Sequence, residues 1–65
     1  MSKNAYEIRL DVLKMACEMV DKKYEMMFNS EKNETSRSFV AESYDKNSVD
    51  ETIEMANKMY SSFIE

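Results

Sequence analysis

One narrow polar stripe runs along the first half of the chain at the spacing of an α-helix. Its members are separated by alternating steps of four and three residues: Glu7, Asp11, Lys14, Glu18, Asp21 and Glu25. Residues three or four apart lie on the same side of a helix, and nearly every other residue between Ala5 and Phe28 is apolar. The pattern predicts a long first helix over about residues 5–28, with Asn4 as its N-cap.

The apolar part of this helix is too wide for one neighbouring helix to cover. A first apolar stripe contains Tyr6, Leu10, Leu13, Cys17, Val20, Tyr24 and Met27. A second stripe beside it contains Ile8, Val12, Met15, Met19 and Met26, and Ala5 and Ala16 lie between the two. Together the stripes span roughly 220°, whereas the apolar stripe of an ordinary surface helix spans about 100° or somewhat more. The excess apolar surface predicts a partner.

The rest of the chain is also expected to be helical. It contains neither glycine nor proline, which tight β-hairpin turns commonly require. Ser48 followed by Glu51 is typical of a capping box and predicts a shorter second helix over about residues 49–63. Residues 29–38 contain no apolar residue and are predicted to be a mobile polar linker. The apolar residues within 39–44 are expected to form either a helical turn or an extended segment.

These elements predict an all-α fold, in which residues 1–65 form a single domain built as a helical hairpin. A domain of this size buries only about 60% of its unfolded surface, and Cys17 is the only cysteine in a chain without histidine. We therefore expect a homodimer that forms a four-helix bundle, and we expect Leu13→Asp to abolish folding. The alternative is a monomer in which residues 39–44 cover the second stripe. The predicted interface consists of Tyr6, Ile8, Val12, Leu13, Met15, Met19, Val20, Tyr24 and Met26.

Several functional classes are disfavoured by the composition. The net charge of −4 and the lack of a basic patch argue against direct binding of nucleic acid or of an anionic membrane. We expect neither a membrane span nor a signal peptide, and hence a cytoplasmic protein. No nucleophile–base pair, cofactor motif or metal-ligand pattern is present, so we expect neither an enzyme nor a cofactor or metal site. Cys17 is interpreted as a small buried apolar residue.

The chain is interpreted as a small acidic protein–protein interaction module, with an acidic nucleic-acid mimic as the alternative. Residues 4–16, Asn-Ala-Tyr-Glu-Ile-Arg-Leu-Asp-Val-Leu-Lys-Met-Ala, resemble the start of short proteins encoded by T-even-like tailed bacteriophages. The end of the chain, around Met59, Tyr60 and Phe63, is similar to theirs as well. This resemblance implies a viral accessory protein that acts in the cytoplasm of a bacterial host and binds a host or phage protein. The resemblance assigns no functional residue to this chain.

Overall fold

The computed structural model describes the backbone of residues 3–64 and the side chains of residues 3–62. These residues form two α-helices, α1 (Ala5–Ser30) and α2 (Glu34–Ile64), which pack against each other as a hairpin. The hairpin is 49 Å long and 19 by 16 Å across. The predicted all-α helical hairpin is therefore confirmed. Within its described residues, neither helix has an apolar stretch long enough to cross a membrane.

Helix α1 begins where the sequence pattern places it. Asn4 has an extended backbone conformation, and its side-chain oxygen accepts a hydrogen bond from the Glu7 amide at 2.8 Å. This bond satisfies one of the free amides of the first turn, as expected for an N-cap. At the other end, the Ser30 hydroxyl donates to the Met27 carbonyl at 2.8 Å, and the chain leaves the helix at Glu31.

Helix α2 is much longer than predicted, because it begins at Glu34 and not near residue 49. The linker predicted over residues 29–38 is correspondingly reduced to residues 31–33. Asn33 caps α2: its side-chain oxygen accepts from the Ser36 amide at 2.8 Å and its carbonyl from the Arg37 amide at 3.1 Å. Residues 34–38 are helical despite their polar composition, and most of their side chains are exposed to solvent.

The segment 39–44 is helical and lies within α2. The predicted start at Ser48 is wrong, since Ser48 lies in the interior of this helix. A capping box describes how a helix can begin, but the chain also needs a residue that ends the preceding helix. Between Glu34 and Ser48 the chain continues as one helix, so the capping-box pattern at Ser48 begins no new one.

The core follows every fourth residue of α1 and crosses from the second predicted stripe to the first. Ala16 is completely buried and is packed with Val12 and Ala56. A second cluster contains Val20, Tyr24 and Val40. Because the buried residues are four apart, the line of contact with α2 winds slowly around α1. This is expected where the surface ridges formed by residues four apart on each helix pack together. The helices therefore bury part of each stripe and leave the remainder of both exposed.

Candidate protein-interaction surfaces

Exposed large apolar residues of both helices form a first candidate surface. We call it the leucine face, and it consists of Tyr6, Leu10, Leu13, Val49 and Ile53. Leu13 is 42% exposed, and it lines a groove of about 350 Å³ together with Ala56 and Asn57 of α2. Ile53 lies one turn before Asn57, and Val49 lies one turn before Ile53, so both are on the side of α2 that borders this groove.

A second exposed apolar surface lies on α1 alone. We call it the methionine surface, and it consists of Met15, Met19 and Met26. These side chains line a shallow depression of about 520 Å³, bordered by Glu18, Lys22 and Lys23. Methionine side chains are flexible and polarisable, so such a surface can adapt to different partners.

A third feature is an acidic pocket between the helices at the loop end of the hairpin. Its volume is about 280 Å³, and its lining residues are Asp21, Tyr24, Glu25, Phe28, Val40, Ala41, Tyr44 and Asp45. The rings of Tyr24 and Tyr44 meet edge to face, with centroids 5.4 Å apart. The Tyr44 hydroxyl donates to Asp21 Oδ1 at 2.6 Å, and this bond raises the pKa of Tyr44. The pocket thus combines aromatic walls with three carboxylates.

A polar network joins the helices on the other side of Tyr24. The Tyr24 hydroxyl donates to Glu51 Oε2 at 2.5 Å, and Lys23 Nζ donates to Glu51 Oε1 at 2.8 Å. The bond from Lys23, followed by that from Tyr24, lowers the pKa of Glu51. The same bonds raise the pKa of Tyr24 and that of Lys23. This network fixes the register of α2 against α1, and we assign it a structural role.

The predicted interface residues are distributed between the core and the surface. Val12, Val20 and Tyr24 are buried within the hairpin, and Ile8 is half-buried. They are core residues because the contact line of α1 crosses from one stripe to the other. The exposed members of the predicted set are Tyr6, Leu13, Met15, Met19 and Met26. Leu13 therefore lies outside the core of the hairpin, and its role in a dimer interface stays a prediction.

Sequence reasoning missed the contribution of α2 to these surfaces. Val49 and Ile53 are 66% and 49% exposed, although steps of four and three relate them to the buried Ala56. The acidic pocket was missed because four of its residues lie where no second helix was expected. Extending the helical spacing of the second helix upstream, through Tyr44 and Val40, would have indicated that this segment is helical and packs beside α1.

Cys17 is exposed and not buried as expected. Its thiol lies 3.8 Å from Asp21 Oδ2, the length of a weak sulfur hydrogen bond. Within the described residues, no three His, Cys, Asp or Glu side chains are placed to hold a metal ion. No protein-family model, curated protein or solved structure matches this chain. Its function must therefore be inferred from the surfaces themselves.

Proposed function

We propose that this protein is a protein–protein interaction module whose first partner is a second copy of itself. In this proposal the leucine faces of two hairpins meet and form a four-helix bundle. The observation that carries it is the exposure of Leu10, Leu13, Val49 and Ile53, large apolar residues contributed by both helices. A contiguous exposed apolar patch on a small protein commonly marks an interaction site.

The exposed area of the single chain supports this proposal. Its solvent-accessible surface is 5461 Å², whereas a compact monomer of 7.7 kDa is expected to expose about 4,300 Å². The radius of gyration is 14.7 Å, compared with about 10.7 Å for a compact domain of this length. The excess area is about 1,100 Å², and a standard protein interface buries about 800 Å² on each partner. One additional hairpin is enough to cover it.

The spacing of the apolar residues also suits a bundle. On α1, Tyr6, Leu10 and Leu13 follow steps of four and three, and on α2 the exposed Val49 and Ile53 are four residues apart. This alternation is typical of helices that pack nearly parallel or antiparallel with knobs in holes. Each helix therefore has one line of residues for its own hairpin and a second line for the other copy.

The methionine surface remains available for a different protein in such a dimer. The resemblance of residues 4–16 to phage proteins suggests that this second partner is a host or phage protein. A nucleic-acid mimic is less well supported. A DNA duplex as long as the 49 Å hairpin carries roughly 29 phosphate charges at one per about 1.7 Å. The net charge of this chain is only −4.

The dimer can be tested by light scattering over a concentration series, with helicity measured by circular dichroism on the same samples. We expect the wild-type chain to be a dimer. Leu13→Asp and Ile53→Asp would each bury an unpaired charge at the contact, and we expect dimer affinity to fall by about two orders of magnitude.

Met26→Asp is the matched control, because it places the same charge on the methionine surface and should leave the dimer intact. Helicity distinguishes a folded monomer from an unfolded chain in each variant. A wild-type chain that remains monomeric at every concentration would refute the proposal, as would equal effects of Leu13→Asp and Met26→Asp.

A further inference from the structure

We propose that the acidic pocket binds the guanidinium group of an arginine side chain presented by a partner protein. This inference goes beyond the proposed homodimer, because none of the residues that line the pocket belongs to the leucine face. The occupant is defined by its chemistry, a planar cation carried on a side chain of a different protein. Three features of the pocket support this choice.

The first feature is its aromatic wall. Guanidinium groups bind favourably over aromatic faces, and the chain already uses this contact elsewhere. Arg9 Cζ lies 4.8 Å from the ring centroid of Tyr60, and Arg37 Cζ lies 5.5 Å from that of Phe28. Arg37 does not line the acidic pocket. Tyr24 and Tyr44 both line the pocket, and in this proposal the incoming guanidinium contacts their rings.

The second feature is the charge of the rim. The ion pairs among residues 3–62 join Lys3 to Asp11, Lys23 to Glu51 and Lys58 to Glu54. The pocket carboxylates Asp21, Glu25 and Asp45 take part in none of these pairs. A cation that enters the pocket therefore meets three negative charges without having to displace a lysine or arginine from them. Asp21 is also oriented by the hydroxyl of Tyr44.

The third feature is the size and spacing of the pocket. Its volume of about 280 Å³ lies just below the range of about 300–1,000 Å³ for small-molecule sites, which suits one side chain. The carboxylates do not converge closely enough to hold a metal ion. Guanidinium has five N–H donors in a plane and can bond to carboxylates that are spread apart. The pocket thus favours arginine over a compact cation.

The proposal can be tested by NMR titration of the full-length chain with N-acetyl-arginine amide. We expect saturable shifts of the amide signals of residues 21–28 and 40–45. N-acetyl-citrulline amide has nearly the same shape without the charge, and we expect it to produce no saturable shift there. Equal shifts with the two probes, or no saturable shift with the arginine probe, would overturn the proposal.

Two surface variants test the role of the carboxylates. We expect Glu25→Gln and Asp45→Asn each to weaken binding of the arginine probe by roughly two- to fivefold, as for an exposed ion pair. Asp50→Asn is the matched control, since Asp50 lies on a different side of α2, and we expect it to leave the affinity unchanged. An equal loss in Asp50→Asn would show a general charge effect and overturn the proposal.

The same samples distinguish this proposal from the homodimer. We expect Leu13→Asp to lose dimerisation and to retain arginine binding. If pocket signals shift with protein concentration before any probe is added, and the arginine probe then has no effect, the occupant is a second copy and not a different protein. That outcome would overturn the arginine proposal and leave the homodimer standing.

Discussion

Tyr24 connects the apolar core of the hairpin to its polar network. Its ring packs with Val20 and Val40, while its hydroxyl donates to the carboxylate of Glu51. A tyrosine serves this position because it combines a large apolar ring with a polar group that can reach a partner at the edge of the core. Its counterpart Tyr44 donates to Asp21. Both bonds require the tyrosine to keep its proton.

These hydrogen bonds predict that the hairpin loses stability in alkaline solution. The bonds to Glu51 and Asp21 raise the pKa values of Tyr24 and Tyr44 in the folded state. The two hydrogen bonds stabilise the folded state fully when the pH is below the ordinary tyrosine pKa of about 10. This stabilisation is lost as the pH rises through the raised pKa values of the folded state. Far-ultraviolet circular dichroism and tyrosinate absorbance should change together over this range. The double variant Tyr24→Phe, Tyr44→Phe should retain much less of this pH dependence, and an unchanged alkaline transition would contradict the assignment.

Ala16 is completely buried between the helices, and this predicts that a larger side chain is not tolerated there. It is 0% exposed and lies against Ala56. We expect Ala16→Leu to destabilise the hairpin by about 1–3 kcal/mol, because the helices must separate. Ala5→Leu adds the same side chain at an exposed position of α1 and should change stability by less than about 0.5 kcal/mol. Urea unfolding of both variants would measure the difference, and equal stabilities would contradict the packing at Ala16.

At the level of the helices, α1 was predictable from the sequence and the start of α2 was not. Helix α1 has a strong cap in Asn4 and a regular alternation of polar and apolar residues, and both signals are local. The first part of α2 has few buried side chains, chiefly Val40 and Tyr44, so its helical period is hard to recognise. Asn and Ser residues there suggested a turn, but Asn33 is in fact the cap of the helix.

Proline substitutions within residues 34–38 can show whether this segment is a helix or a flexible linker. Ser38 lies one turn into α2, where proline would remove a helical hydrogen bond and destabilise by about 3 kcal/mol. Glu34 is the first residue of the helix, where proline is tolerated because the amide has no helical partner. We therefore expect thermal denaturation to show a large loss for Ser38→Pro and little change for Glu34→Pro. Equal tolerance of both variants would indicate a flexible linker.

At the level of the whole molecule, the sequence predicts how much apolar surface is present but not which part is buried. Which apolar residues are buried depends on how the two helices cross. The crossing is set by contacts between residues distant in the sequence, such as Ala16 and Ala56. The spacing of apolar residues within α1 could not show that its line of contact with α2 crosses from one stripe to the other. The acidic pocket depends on the same crossing, since it brings Asp21 and Glu25 next to Asp45.

The proposed dimer predicts a melting temperature that depends on protein concentration. Because the dimer forms from folded hairpins and covers their exposed surface, mass action stabilises the folded state as concentration rises. For a dimer of two 65-residue chains, a roughly hundredfold increase in concentration should raise the Tm by about 10 °C. Differential scanning calorimetry would measure this shift. A Tm that stays constant across the series would show that the hairpin folds alone, and the leucine face would then have to be explained by a different partner.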